Sequence, residues 1–583
     1  MSITLHIDDR EVTVSEGATI WEAARGAGIA IPTLCHQPGL DPVGVCRMCV
    51  VEVEGARVMA ASCVRAVEPD MVVRTASDKV ERCRRMLTEL LMSDQPETSP
   101  RQITTGDDEL FALAERYAVE VRLPRGNSRP QDDTSKVIAV DHQACILCDR
   151  CIRACDDVQN NDVIGRTGKG YSARISFDLD NGMGDSSCVS CGECVAACPT
   201  GALTEKPTSV PIRPRSELEA VDSVCPYCGV GCALTYQVDR EANRVAFVEG
   251  RDSPGNQGRL CVKGRYGFDF VSHPHRLTKP LIRVDYPKRA LSPEVASSKR
   301  RGRKPGGLVD YDQVLPAFRE ASWDEALDLV ARRLLEARDR WGPRALAGFG
   351  SAKCSNEEAY LFQKLVRAVF RTNNVDHCTR LCHASSVTAL LQMIGSAAVT
   401  TTYGDIENAD VALITGTNTT SNHPVAATFF KQAARRGTKL IVVDPRGSGI
   451  ADHAWRFCQI RSGTDVAFYN GIMNVIVEKG LVDETYIAER TTGFEELVQT
   501  LKAYTPERVS GICGVPAELI REVAIAYGSA RAAITFWGLG MSQHVHGTDN
   551  CRCVISLALI TGNVGRPGTG LHPLRGQNNV QGA

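Results

Sequence analysis

Sixteen of the 24 cysteines in this 583-residue chain stand in four groups of four, and that spacing limits the possible fold more than any other feature. A chain so rich in thiols either cross-links itself or binds metal. Disulfide frameworks belong to small exported domains. Here the N-terminus, MSITLHIDDREVTV, alternates like a strand and lacks the basic-then-apolar order of a secretory signal. Cysteines two or three positions apart, repeated along a long chain, are ligand spacing. The other eight (Cys83, Cys354, Cys378, Cys382, Cys458, Cys513, Cys551 and Cys553) read mostly as small buried hydrophobes. A formal net charge of -2 gives no electrostatic footprint for nucleic acid. No apolar run is long enough to span a membrane, so a cytoplasmic location is expected.

The chain divides by texture. Residues 1–77 alternate apolar and polar around one helical stretch and a cysteine loop, which predicts a small mixed β domain. Residues 78–92 read as a helix, and 93–135, polar and free of Cys, as a linker, making 78–135 a helix-and-linker segment. Segments 136–208 and 222–280 hold eight and four clustered cysteines, and cores this small need metal staples. Residues 281–321, basic and rich in Pro, Gly and Ser, read as a solvated insertion. From 322 to 583, capping boxes at Ser322–Glu325 and Ser355–Glu358 open amphipathic helices. These alternate with strand candidates at 344–350, 410–416, 439–444 and 532–538. Strand and helix in alternation predict doubly wound α/β domains that bind ligands at the carboxyl ends of their strands.

Cys145, Cys148 and Cys151 follow at x2 spacing with Cys155 after x3; Cys188, Cys191, Cys194 and Cys198 repeat this and end on Pro199. In such a two-cluster ferredoxin run each fourth cysteine crosses to the other cluster. One [4Fe–4S] cluster is therefore expected on Cys145, Cys148, Cys151 and Cys198, the other on Cys188, Cys191, Cys194 and Cys155. Zinc is the alternative, disfavoured because its four-Cys sites are rarely so tightly nested. Cys35, Cys46, Cys49 and Cys63 give C-x10-C-x2-C-x13-C. That set resembles the [2Fe–2S] domain of the large iron–sulfur subunit of respiratory NADH dehydrogenase. Cys225, Cys228, Cys232 and Cys261 give C-x2-C-x3-C-x28-C within CPYCGVGC and RLCVKGRYG. That arrangement resembles the [4Fe–4S] domain opening the catalytic subunit of molybdopterin oxidoreductases, in which Lys263 matches the lysine between cluster and pterin.

From Cys225 onward the chain resembles molybdenum- or tungsten-dependent formate dehydrogenases, and with its N-terminal modules the soluble NAD-dependent type. The likeness is carried by NNVDHCTRLCHASS, GTNTTSNHPV, VVDPRG and TGNVGRPGTGLHPLRGQNNVQGA. It implies a β-grasp-like [2Fe–2S] domain, a two-cluster ferredoxin domain, a small [4Fe–4S] domain and α/β molybdopterin-binding domains. The implied cofactors are a bis-molybdopterin guanine dinucleotide with Mo or W, three [4Fe–4S] clusters and one [2Fe–2S] cluster. Cofactor contacts are expected at Gly416, Thr417, Asn418, Thr419, Asp444, Pro445, Arg446, Asp465 and Gln577. A strand-end glycine lets backbone N–H groups approach a pyrophosphate, and a strand-end Asp suits a nucleotide's ribose or base. The resemblance makes Cys382 the metal ligand, His383 its catalytic neighbour and Arg575 the formate-binding residue, whose planar guanidinium matches a carboxylate. It leaves open whether hydrogen leaves formate as a hydride to sulfur or as a proton to His383 or Cys382.

No G-x-G-x-x-G follows a strand, which places NAD and flavin on partner subunits carrying further clusters. Two departures stand out. Gln95 occupies the place where many relatives carry the His of a further cluster, so that cluster is expected to be absent. Relatives also continue for several hundred residues past the position of Ala583, which suggests a fragment or one half of a split subunit that retains its pterin weakly. The rivals are an assimilatory nitrate reductase, opposed by His383 and Arg575, and a non-catalytic electron-relay subunit, opposed by the joint retention of Cys382, His383, Lys263 and Arg575.

Overall fold

A computed structural model describes residues 2–124, 126, 128–207, 211–284 and 315–583. It divides into two units, Met1–Phe268 with Ser385–Gly576, and Asp269–Ala384 with Gln577–Ala583. Most of the basic insertion expected at 281–321 lies outside the described residues. Among the described residues no helix is long and apolar enough to cross a membrane.

The first unit begins with a β-grasp arrangement. Ser2–Ile7 and Arg10–Ser15 pair as a hairpin, and Val72–Arg74 runs parallel beside the first strand. Helix Ile20–Gly26 packs on this sheet; its N-cap Thr19 and Glu22 exchange side-chain and backbone hydrogen bonds as a full capping box. Helix Asp78–Met92 follows, capped by Ser77. Its buried Arg84 donates to the carbonyls of Met48 (3.2 Å) and Val50 (2.8 Å), fixing the loop that carries Cys46 and Cys49.

The stretch read as a linker is folded over much of its length. Helices Pro100–Ile103 and Glu109–Arg116 are capped by Ser99 and Asp108, and Leu110 and Leu113 pack against Leu34 and Met48. Arg101 grips Asp107 and donates to the Val195 carbonyl at 2.9 Å. Gln95 is buried and donates to the Ala144 carbonyl at 3.3 Å, beside the first ferredoxin cysteine. Polar composition disguised this segment because only a few of its apolar residues, Leu110 and Leu113 among them, supply its packing.

In the ferredoxin-like module Ile138–Asp141 pairs antiparallel with Leu203–Glu205, so the two ends of the cysteine-bearing chain meet. A three-stranded meander, Glu219–Val224, Ala233–Asp239 and Arg244–Gly250, carries the next four cysteines. The remainder of the unit is a parallel five-stranded sheet in the order 456–458, 439–443, 411–415, 533–537, 570–573. Its central strands are buried on both faces, which their near-continuous apolar runs require. From strand 411–415 the chain winds outward through 439–443, then returns to lay 533–537 on the other side. The connections leaving 411–415 and 533–537 therefore lead to opposite sides of the sheet, the switch point at which such sheets bind ligands.

In the second unit helix Trp323–Trp341 is capped by Ser322, but Glu325 pairs with Arg319 rather than completing the expected box. Helix Asn356–Lys364 has the full box at Ser355 and Glu358. The strand expected over 344–350 shortens to Gly348–Gly350 and pairs with Val375–His377, outside the five-stranded sheet.

Candidate functional site

All 24 cysteines stand as free thiols. In the first set Cys35, Cys49 and Cys63 are buried, and Cys46 is partly buried. The Cys35 N–H donates to the Cys46 sulfur at 3.3 Å, and the Cys49 and Cys63 sulfurs lie 3.3 Å apart. Side-chain hydrogen bonds connect Cys35 to both Cys46 and Cys63, so the four thiols are linked in a chain of contacts.

Thiols of the ferredoxin run lie close enough to raise one another. Burial pushes the Cys145 thiol up to about 11 and those of Cys148 and Cys151 higher, and Cys198 adds to each rise. Burial likewise raises Cys155 to about 11 and Cys191 to about 12. Cys194 is raised by burial and then by Cys191, Cys188 and Cys155. Cys198 also raises Cys194, and Cys194 raises Cys151, so the two runs form one electrostatic group. In the next module the Cys225 N–H donates to the Cys232 carbonyl at 2.9 Å. Burial raises Cys225 to about 11, with Cys228 and Cys261 contributing. Among the described residues, no group of three or more His, Cys, Asp or Glu converges as on a single metal ion.

At the carboxyl edge of the parallel sheet, Gly416 (φ +60°) follows strand 411–415, and Gly538 and Gly540 follow strand 533–537. The two turns press so closely that a Cβ on Gly416 would stand 2.7 Å from the Met541 nitrogen, and one on Gly540 2.8 Å from the Gly416 Cα. Only glycine fits there. Thr417 and Thr419 are buried in this edge with Asn418 between them, and the Thr419 and Ser448 hydroxyls are buried without a hydrogen-bond partner. Asp444, after strand 439–443, accepts the Arg446 N–H at 2.9 Å across Pro445. Burial raises its carboxyl and that of Asp465; His544 opposes the rise at Asp465 and Asp444 adds to it. Glycine backbone, orphaned hydroxyls and two carboxylates are the donor and acceptor set that a phosphate-and-ribose arm requires.

Lys263 reaches this edge from the cluster module, its Nζ donating to the Ser421 carbonyl at 3.1 Å. Arg575, buried beyond strand 570–573, donates to the Ala397 carbonyl at 2.9 Å. Its own carbonyl accepts from the Gly229 N–H at 3.0 Å and from His423 at 2.7 Å. A carbonyl only accepts, so His423 carries its proton on Nε2, and burial lowers its basicity. Gly229 belongs to the CPYCGVGC loop, and a Cβ there would stand 2.6 Å from the Arg575 carbonyl oxygen. The loop of the fourth cysteine set therefore abuts the residue expected to bind substrate.

Cys382, His383 and Gln577 belong to the second unit. Cys382 closes the short helix Thr379–Cys382 and His383 is fully buried. The Gln577 side-chain oxygen lies 3.9 Å from both Cys382 and Cys378, so two thiols one helical turn apart face the same amide.

Sequence reasoning missed Gly538, Gly540, Ser448, His544 and Cys378. A strand-end G-x-G at 538–540 and a Cys four residues before Cys382 were the available signals.

Residues 276–583 match the molybdopterin oxidoreductase family and 218–273 the molybdopterin oxidoreductase Fe4S4 domain. Residues 1–78 match a 2Fe-2S iron-sulfur cluster binding domain, and 135–204 the ferredoxin-like domain of NADH-quinone oxidoreductase subunit 3. A provisionally named oxidoreductase of Bacillus subtilis (strain 168) is 32% identical over all of this chain and 60% of its own length. A provisionally named formate dehydrogenase of Staphylococcus aureus (strain MSSA476) is 30% identical with the same coverage. The chain thus spans 60% of the length of these curated relatives. Acetylene hydratase from Pelobacter acetylenicus superimposes with a TM-score of 0.50 at 22% identity, over 60% of this chain and 44% of that one, a likeness of fold. With more than half its residues in the match, the chain belongs to the molybdopterin oxidoreductase family.

Proposed function

We propose that this chain oxidises formate, HCOO⁻ → CO2 + H⁺ + 2e⁻, and relays the electrons through four iron–sulfur clusters to an NAD- and flavin-binding partner. The observation that carries the reading is the carboxyl edge of the sheet. There the loop of Cys225, Cys228 and Cys232 abuts Arg575, and Lys263 reaches the loop that follows Gly416. A cluster module and the proposed dinucleotide cradle share that edge. The formate dehydrogenase name of the Staphylococcus relatives supplies the substrate.

The residues fit a guanine-dinucleotide pterin arm, whose bound Mo or W would accept the electron pair of formate. Gly416–Thr419 would cradle the pyrophosphate, with Asp444–Arg446 and Asp465 holding the ribose and base, and Gln577 a further contact. Cys382 would bind the metal as a soft thiolate. His383, fully buried, would manage the proton. Arg575 would orient formate through two parallel hydrogen bonds that a point charge cannot supply.

The [2Fe–2S] cluster is assigned to Cys35, Cys46, Cys49 and Cys63. The [4Fe–4S] clusters are assigned to Cys145, Cys148, Cys151 and Cys198; to Cys188, Cys191, Cys194 and Cys155; and to Cys225, Cys228, Cys232 and Cys261. Iron should approach about fourteen atoms per chain.

The match to a NADH-quinone oxidoreductase ferredoxin-like domain favours a second reading, relay without catalysis. Formate-dependent reduction of a viologen dye, with Mo, W and Fe measured on the same anaerobic sample, separates the two. Turnover proportional to Mo or W supports formate oxidation. Full iron with no bound Mo or W and no turnover supports relay alone.

A further inference from the structure

Helix Val262–Tyr266 starts at Cys261, the last cysteine of the fourth set, yet its last side chain lies in another module. Tyr266 is buried in the ferredoxin core among Cys151, Cys155, Cys194 and Cys198. Its hydroxyl has no hydrogen-bond partner there. A buried hydroxyl left unsatisfied costs about 1–3 kcal/mol, so its placement calls for an acceptor.

The backbone beside it shows where that acceptor belongs. Gly192, between Cys191 and Cys194, sits at φ +76°, and a Cβ there would stand 2.6 Å from the Tyr266 hydroxyl oxygen. The hydroxyl is thus pressed onto the turn joining two cysteines of one set. Its electrostatic neighbours are Glu205, Arg265, Cys194 and Cys191. Arg265, the preceding residue, points the same way: its Nε donates to the Cys191 carbonyl at 2.8 Å. Neutral phenol is a donor at physiological pH, and a cluster sulfur is an acceptor whose negative charge grows on reduction.

We propose that the Tyr266 hydroxyl donates a hydrogen bond to a sulfur of the cluster held by Cys188, Cys191, Cys194 and Cys155, and thereby raises that cluster's reduction potential. The proposal rests on the cluster assignment above. Hydrogen bonds to sulfur are one of the levers that set such potentials, because they stabilise the more negative, reduced state. Tyr266 is carried by the helix that Cys261 begins, so the donor belongs to the module that holds the neighbouring cluster.

Anaerobic redox titration of the intact protein with EPR detection tests this, the relevant signal being identified by its loss in Cys188→Ser. In Tyr266→Phe the potential of that cluster should fall, by a roughly tenfold smaller equilibrium constant for reduction, about 59 mV for one electron. The other clusters and the iron content should stay as they are. Replacing Tyr266 with 3-fluorotyrosine, a stronger donor of nearly the same size, should move the same cluster upward. An unmoved potential in both variants, or an equal shift in every cluster, overturns the proposal. A wild-type protein that lacks this cluster's signal and its four irons overturns the proposal together with the cluster assignment.

Discussion

Glu193→Gln should loosen the junction between the ferredoxin-like module and the module that follows it. Glu193 and Arg265 pair at 2.5 Å, with side-chain exposures of 12% and 3%. The same carboxylate oxygen accepts the Leu260 N–H at 3.0 Å, and Arg265 holds the Cys191 carbonyl. Two cysteine loops are therefore tied through one ion pair. Removing one partner of a buried pair costs about 3–5 kcal/mol, because the other charge is left uncompensated in a dry site. At about 4 kcal/mol the local opening equilibrium rises by roughly three powers of ten. Hydrogen exchange of the amides around Cys191 and Leu260 in the cluster-loaded protein reads this directly. The double variant Glu193→Gln/Arg265→Met removes both charges and should recover much of the protection, since an apolar replacement of a buried pair is often neutral. Unchanged exchange in Glu193→Gln would refute the reasoning. So would a double variant as labile as the single one, which would show that the packing matters and the charge does not.

Gly416→Ala should cost about 1–2 kcal/mol in backbone strain alone, from the left-handed conformation, and more from its contact with the Met541 nitrogen; denaturant melts and pterin content measure both effects. Glu205 has its carboxyl raised to about 7 by burial, so the native state binds more protons than the unfolded chain between the ordinary carboxylate range and pH 7. Its contribution to stability therefore falls as pH rises through that window. Glu205→Gln should match the wild type at pH 5 and exceed it at pH 8, as urea midpoints at the two values would show. Arg575→Ala and Arg575→Lys should both impair formate turnover in metal-replete protein, because the lysine keeps the charge without the fork. Near-normal kcat/KM in Arg575→Ala at full metal content would remove that residue from the site.

The cysteine sets were legible because ligand spacing is local chemistry, and helices 20–26 and 78–92 were legible from their helical texture. Strands 411–415, 439–443 and 533–537 announced themselves as apolar runs. Strands Arg456–Cys458 and Gly570–Pro573 did not, being three and four residues long and placed by pairing with neighbours already in the sheet. Helix Glu109–Arg116 hid in a polar stretch because its stability comes from Leu34 and Met48, far back in the chain. The same limit hid the approach of Gly416 to Gly540. That contact exists only because strands distant in sequence lie side by side, and no local pattern encodes such adjacency. Gln577 meets Cys378 and Cys382 across nearly 200 residues.

The central claim is that formate delivers electrons into this chain's own clusters. EPR of anaerobic, metal-replete protein frozen after addition of formate tests it without any dye or partner. The account predicts that formate alone develops the reduced-cluster signals that dithionite produces, and that Arg575→Ala with the same metal content develops them far more slowly. Clusters that dithionite reduces but formate leaves oxidised, in protein with its full complement of Mo or W, would contradict it.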